Sequence, residues 1–202
     1  MNQELTKEVA QKLMEIKGEA RGGTLKIDME YILKEKGEEG LKKVEGELEK
    51  LGYPIKYKEI NTLGYSPVGL RAISLLVIKK VFNFDNEKIK EIGLFGTKIS
   101  LILKFFIKYV FSFQKVFFQE SPKIWREHWT IGELVPVELN EEKKYAILRL
   151  KDFNLHPIYC RFLEGYLPGL FQLMVKIPQI TCEETKCFFR GDEYHEYLIK
   201  WQ

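Results

Sequence analysis

Cys182, Cys187 and His195 are the residues of this chain whose types and spacing come nearest to a chemical site. Zinc accepts thiolate sulfur and imidazole nitrogen in a tetrahedron, and all three residues fall in one closing hairpin. Their spacings, Cys-x4-Cys and Cys-x7-His, match no common zinc finger. Residues five apart on a regular strand face opposite ways, so Cys182 and Cys187 converge only across a bulge. A fourth ligand has to come from Cys160, His156 or a carboxylate. If Arg190-Gly191-Asp192 is a three-residue loop, Cys187 sits opposite His195, with Cβ atoms roughly 4.5–5.5 Å apart. A two-residue loop instead pairs His195 with Phe188. The alternative to a metal is packing: buried cysteines acting as small hydrophobes beside a paired core histidine.

Other reactive constellations are missing. There is no Gly-x-Ser-x-Gly elbow, phosphate loop or paired metal-ligand helix. Glu183-Glu184 and Asp192-Glu193 read as solvated charge runs near turns. Cys160 and His156 stand four apart, but Pro157 between them marks a helix start, and packing explains the pair more simply. No catalytic residues emerge, and the expected class is a non-enzymatic ligand-binding module.

The elements that must position these residues come in two groups. Leu5, Val9, Leu13 and Ile16 define one helical face, broken by Gly18 and Gly22-Gly23. Residues 1–21 are therefore expected as an appended helix, and 22–202 as a single domain. A second helix is predicted over about Asp28–Leu51, weakened by Gly37 and Gly40 and closed by Gly52. A third starts at Ser66-Pro67, with proline at the first helical position, and Asp85 caps a fourth. Beyond residue 132, Val135, Val137 and Leu139 alternate as in a strand, and Tyr145–Leu150 follows a hairpin. A long helix opens at Asn154 and Pro157, carries Pro168, and has Gly165 and Gly169 placed to let its backbone approach a sheet. Strands over Gln179–Phe189 and Tyr194–Trp201 finish the chain. The order predicts an α+β fold: a helical half, then a four-stranded antiparallel sheet with a long helix on one face.

Composition bounds the function further. The chain has 202 residues and a formal charge of +3, with acidic and basic residues interleaved. No basic stripe suggests nucleic acid as a partner. An odd count of three cysteines argues against a secreted disulfide framework, and MNQELTKEV is no signal peptide, so a cytoplasmic location is expected. Residues 92–113 are apolar enough to invite a membrane span. Lys98, Lys104 and Lys108 interrupt them, at roughly 2.5–3.5 kcal/mol each near a bilayer centre. A buried helix with a lysine-bearing edge is the expectation.

Four phrases follow one another along the chain: GGTLKIDMEYILKEKGEEGLKKV, EKIKEIGLFGTKI, YAILRLKDFNLHPIYCRFLEGYLPGL and EETKCFFRGDEYHEYLIKW. In that order they resemble the haem nitric-oxide/oxygen-binding domain and its haem-free, vinyl-reductase-type relatives. The resemblance implies a sensory or carrier module that encloses a small, largely apolar ligand between helices and sheet. Phe105 and Phe106 would then line the cavity. The family's Tyr-x-Ser-x-Arg motif, which grips haem propionates, falls on Tyr145, Ile147 and Arg149. Residues two apart on a strand share a face about 7 Å apart, so a Tyr hydroxyl and an Arg fork can meet one carboxylate. Ile147 departs from that motif and removes a donor, and the bland alternative leaves Tyr145 and Arg149 on a solvated strand face. The family's haem-ligating histidine is missing from KFFIKYVFSFQKVFF, although His128 lies closer to the motif. The expectation is accordingly no cofactor, with haem disfavoured and zinc left open. A homodimer or a signalling partner protein is expected, and a filled-core interaction domain is the competing function.

Overall fold

The computed structural model describes residues 5–99, 113–174 and 179–202. Phe105, Phe106 and most of the apolar run that contains them lie outside the described residues.

Thr6 caps the first helix, α1 (Lys7–Glu15), its hydroxyl accepting from the Val9 N–H at 3.2 Å. Ala10 and Leu13 on its inner face pack against α3 (Val68–Phe82). Between them a short strand β1 (Glu19–Arg21) pairs antiparallel with β2 (Tyr65–Pro67). That pairing keeps Pro67 extended, so α3 begins one residue later than the Ser-Pro signal predicts. Helix α2 runs Gly23–Leu51 and bends at Gly37, whose φ of +65° only glycine adopts cheaply. It ends at Gly52 as expected, and it starts five residues before Asp28. Every residue of α3 from Arg71 to Ile78 is buried, which makes it the central helix of this half. The side chain of Asp85 caps α4 (Asn86–Ile99) through the Lys88 N–H.

A π-helical turn, Val116–Glu120, leads into α5 (Ser121–His128). Four strands follow, β3 (Glu133–Asn140), β4 (Tyr145–Lys151), β5 (Ile180–Lys186) and β6 (His195–Trp201). They form an antiparallel sheet in the order β3-β4-β6-β5, with the long helix α6 (Ile158–Met174) inserted in sequence between β4 and β5. This is the predicted α+β architecture. A bulge between Pro136 and Glu138 turns Val137 out to solvent, so the simple alternation expected for β3 fails there. Along β4 the inward residues are Ala146, Leu148 and Leu150.

Gly165 and Gly169 do bring a backbone close, but the neighbour is α4 and not the sheet. A Cβ built on Gly165 would lie 1.8 Å from the Lys90 carbonyl oxygen, and one on Gly93 would lie 2.1 Å from the Phe162 carbonyl oxygen. Helices α4 and α6 therefore cross in backbone contact, and α6 is clamped between the helical half and the sheet.

Candidate metal centre

Four donor atoms converge where α6 begins and the β5–β6 connection passes over it. Cys160 lies in the first turn of α6, Glu184 on β5, Cys187 just after β5 and His195 at the start of β6. All four side chains are buried, and their ligand atoms lie within 4.8 Å of one another. The Cys160 and Cys187 sulfurs are 3.6 Å apart, and Cys160 Sγ is 3.9 Å from His195 Nδ1. A tetrahedral zinc with Zn–S bonds of about 2.3 Å separates two sulfurs by about 3.8 Å, so these spacings suit that ion.

The local backbone explains the convergence. A register shift at Thr185 brings Lys186 opposite Glu196, so Cys187 and His195 each stand next to one member of the last β5–β6 pair. The connection is longer than three residues: Phe188–Arg190 form a 3-10 turn, and Gly191 follows with φ +100°. The Asp192 carboxylate accepts from the Cys187 N–H at 2.8 Å and fixes the turn.

Supporting contacts orient each donor. The Phe153 carbonyl accepts from His195 Nε2–H at 3.2 Å, which leaves Nδ1 turned toward the cluster. Metal-bound imidazoles are commonly held this way. His195 Nδ1 lies 2.9 Å from Glu184 Oε1, a contact between two lone pairs unless a proton or a cation lies between them. The other carboxylate oxygen of Glu184 meets Arg161 at 3.2 Å and Arg190 at 3.7 Å. Burial works to raise the Glu184 pKa, but hydrogen bonds from His195 and Cys160 and the nearby charges hold it below the usual carboxylate range. Burial, reinforced by the Glu184 charge, pushes the Cys160 thiol far up. Without a cation the pocket disfavours thiolate, and a divalent cation supplies the missing positive charge.

A second polar cluster is buried among α2, α3 and the first turns of α6. Arg71 donates to Asp28 Oδ2 at 2.5 Å, and Ser74 donates to the same oxygen. The Tyr57 hydroxyl then donates to Ser74 Oγ at 2.7 Å. Burial raises the Asp28 carboxyl to about 6, with the Arg71 charge opposing. Asp28 Oδ1, Arg71 Nε, the second Arg71 terminal nitrogen and the Tyr159 hydroxyl have no partner among the described residues. The Arg71 guanidinium lies 5.0 Å from the Phe162 ring centre. Tyr159, in this cluster, is the residue before Cys160.

Of the predicted metal residues, Cys187 and His195 come together, while Cys182 stays outside the four-residue group. Cys182 pairs with Ile199 and Glu184 with Tyr197, so the two lie about 7 Å apart along β5. Glu184, read from sequence as part of a solvated run, is buried and takes the place assigned to Cys182. Tyr145 and Arg149 lie on the sheet face opposite Ala146, Leu148 and Leu150. Tyr145 donates to Glu138, and Arg149 to Glu196 at 2.8 Å. They do not share a partner, and β4 is an internal strand. The Asp28–Arg71 pair went unnoticed because its members lie 43 residues apart with no motif between them.

No family model matches the sequence, and no curated protein matches it. Solved structures do. An H-NOX protein from S. oneidensis in the Fe(II)NO ligation state shares 14% identity, with TM-score 0.67 over 90% of this chain and 99% of its own. An unliganded Fe(II) H-NOX mutant from K. algicida gives 9% identity and TM-score 0.64, over 90% and 96%. The chain therefore has the H-NOX fold, the haem nitric-oxide/oxygen-binding architecture that its sequence resembles. These neighbours correct the expectation of no cofactor with haem disfavoured, because structures with this fold are described in iron-ligated states and for their porphyrin distortion. The expectation leaned on one stretch without histidine, whereas His128 stands further on, in α5. His128 Nδ1–H donates to the Ile124 carbonyl at 2.8 Å, which leaves the Nε2 lone pair for another partner. Burial lowers its pKa and keeps it neutral. That is the donor state an iron ligand needs.

Proposed function

We propose that this protein is a non-enzymatic sensory module in which a small ligand, held between the helical half and the sheet, is read through α6. A zinc ion held by Cys160, Glu184, Cys187 and His195 clamps the start of that helix to β5 and β6. The observation that carries the proposal is the adjacency of Tyr159 and Cys160. One carries a buried hydroxyl that has no partner among the described residues and feels the charges of Arg71 and Asp28, and the other belongs to the donor cluster. A ligand meeting Tyr159 thus acts on the same helical turn that the metal holds.

The ligand has a mainly apolar body and one polar group. Aromatic rings surround Tyr159: Trp129, Phe153 and Phe162 have ring centres 5.3–5.9 Å from it. The unpaired donors and acceptor nearby supply the polar end. Four protein ligands leave no open coordination position, so the zinc is structural. Residues 22–202 act as the binding unit, onto which α1 and β1 pack through α3 and β2. A haem in this fold would be held through His128, and it supplies an iron centre that binds diatomic gases when present. Hemin titration of the protein and of His128→Ala checks that contact. A one-to-one Soret band lost in the variant supports it, and an equal band in both removes it.

Native mass spectrometry tests the main reading. The expected species is the chain plus one zinc plus a small co-purifying mass, with that mass lost in Tyr159→Phe. A zinc-bound chain with no added mass, self-associated or bound to a partner protein, would favour the interaction-domain alternative.

A further inference from the structure

We infer that the buried Arg71 guanidinium receives a carboxylate, which makes the ligand a monocarboxylic acid with an apolar body. The inference rests on the ligand-binding reading above, and it adds the chemistry of the ligand's polar end.

Most polar atoms of the cluster are already committed. Arg71 Nη1–H donates to Asp28 Oδ2, Ser74 donates to the same oxygen, and the Tyr57 hydroxyl joins Ser74. The Phe162 ring lies against the guanidinium, its centre 5.0 Å from Cζ. What is left is one edge of Arg71. There Nε–H and Nη2–H point the same way from a planar group, and neither has a partner among the described residues. The side chain is fully buried, so bulk solvent does not satisfy them. Two parallel N–H donors match the two oxygens of one carboxylate, the bidentate pairing that arginine favours. A hydroxyl, a carbonyl or a diatomic gas engages one donor and strands the other without the water it gave up.

Charge selects a carboxylic acid over a phosphate, which also spans such a fork. The cation that acts on Asp28 is Arg71, and it already faces that carboxylate. A carboxylic acid arrives with a proton, and Asp28 can share it. Its Oδ1 has no partner among the described residues, and burial raises the carboxyl to about 6, with the Arg71 charge opposing. One proton and one guanidinium then balance two carboxylates. A phosphate dianion brings more negative charge than these offset, and a diacid leaves its second charge without a cation. The Tyr159 hydroxyl, which feels both Arg71 and Asp28, can donate to a ligand oxygen. The rings of Trp129, Phe153 and Phe162 around Tyr159 suit an apolar body. The acid thereby touches α2, α3 and the first turn of α6 at once.

The test is the identity of the molecule that co-purifies, from protein prepared in buffers free of organic acids. Native mass spectrometry counts the bound molecules, and a denatured sample extracted into organic solvent is read by negative-ion mass spectrometry. The expected result is one small acid per chain, which loses carbon dioxide on fragmentation and takes up one methyl group on esterification. Arg71→Lys keeps the charge but has no fork, and its occupancy should fall by about tenfold or more. If that variant fails to fold, the wild-type extract still decides. A bound molecule without a carboxyl group, a tetrapyrrole, or an acid held equally by Arg71→Lys would overturn the inference and leave the ligand-binding reading standing. No bound molecule at all would sink the ligand-binding reading itself, and this inference with it.

Discussion

His156 illustrates how much burial alone can do to one side chain. Its Nδ1 accepts from the Ile158 N–H at 3.1 Å, so the neutral ring carries its proton on a buried Nε2 that has no partner among the described residues. Burial lowers its pKa to about 4. A depressed value means that stability is intact above the unfolded-state pKa near 6.5 and is lost as pH falls toward 4. The loss from this residue is on the order of 3 kcal/mol. Asp28, raised to about 6, acts with the opposite sign, costing stability as pH rises from its unfolded value through 6. Urea unfolding at pH 7 and pH 4.5 should therefore show a smaller acid loss in His156→Gln than in wild type. Equal losses would mean the imidazole is not buried neutral. In the polar cluster, Tyr159→Phe removes no hydrogen bond among the described residues and should change apo stability by less than about 1 kcal/mol. Ser74→Ala strands the Tyr57 hydroxyl and one Asp28 contact, and should cost about 1–3 kcal/mol by the same unfolding measurement.

Among the elements, α6 is the one on which the account turns. Gly165→Ala places a methyl against the Lys90 carbonyl and should cost about 2–3 kcal/mol. Gly46→Ala, in α2 with open space around the added carbon, should instead stabilise by about 0.5–1 kcal/mol. Thermal unfolding of the two variants reads the contrast directly, and equal shifts would refute the close crossing of α4 and α6. The helices and strands themselves were legible because their signals are local. Gly52 and Asp85 marked helix ends by capping, and the alternation of Tyr145–Leu150 marked β4. What was hidden depends on partners distant in sequence. Gly165 was recognised as a close-approach residue, but nothing nearby says whether helix or sheet approaches. Cys187 and His195 were legible as a pair, whereas Glu184 was masked by its neighbour Glu183 and revealed only by the bulge at Thr185. The one-residue register shift at Thr185 decides whether Cys187 shares the face of Glu184, and no propensity encodes it.

Across the whole molecule, the H-NOX architecture sets a helical half against a sheet, with α6 between them. Among the described residues no helix is long and apolar enough to cross a membrane. The donor cluster ties together α6, β5 and β6, beside the β5–β6 ladder and the Glu184 N–H donated to the Glu164 carboxylate of α6. Its position makes metal content the most direct test of the account. Protein purified without metal supplementation and without chelators should carry close to one zinc per chain by elemental mass spectrometry. Cys160→Ser and His195→Ala should lose most of it, while Cys182→Ser keeps it. Zinc absent from the wild-type protein, or lost in Cys182→Ser and retained in Cys160→Ser, would contradict the four-residue centre.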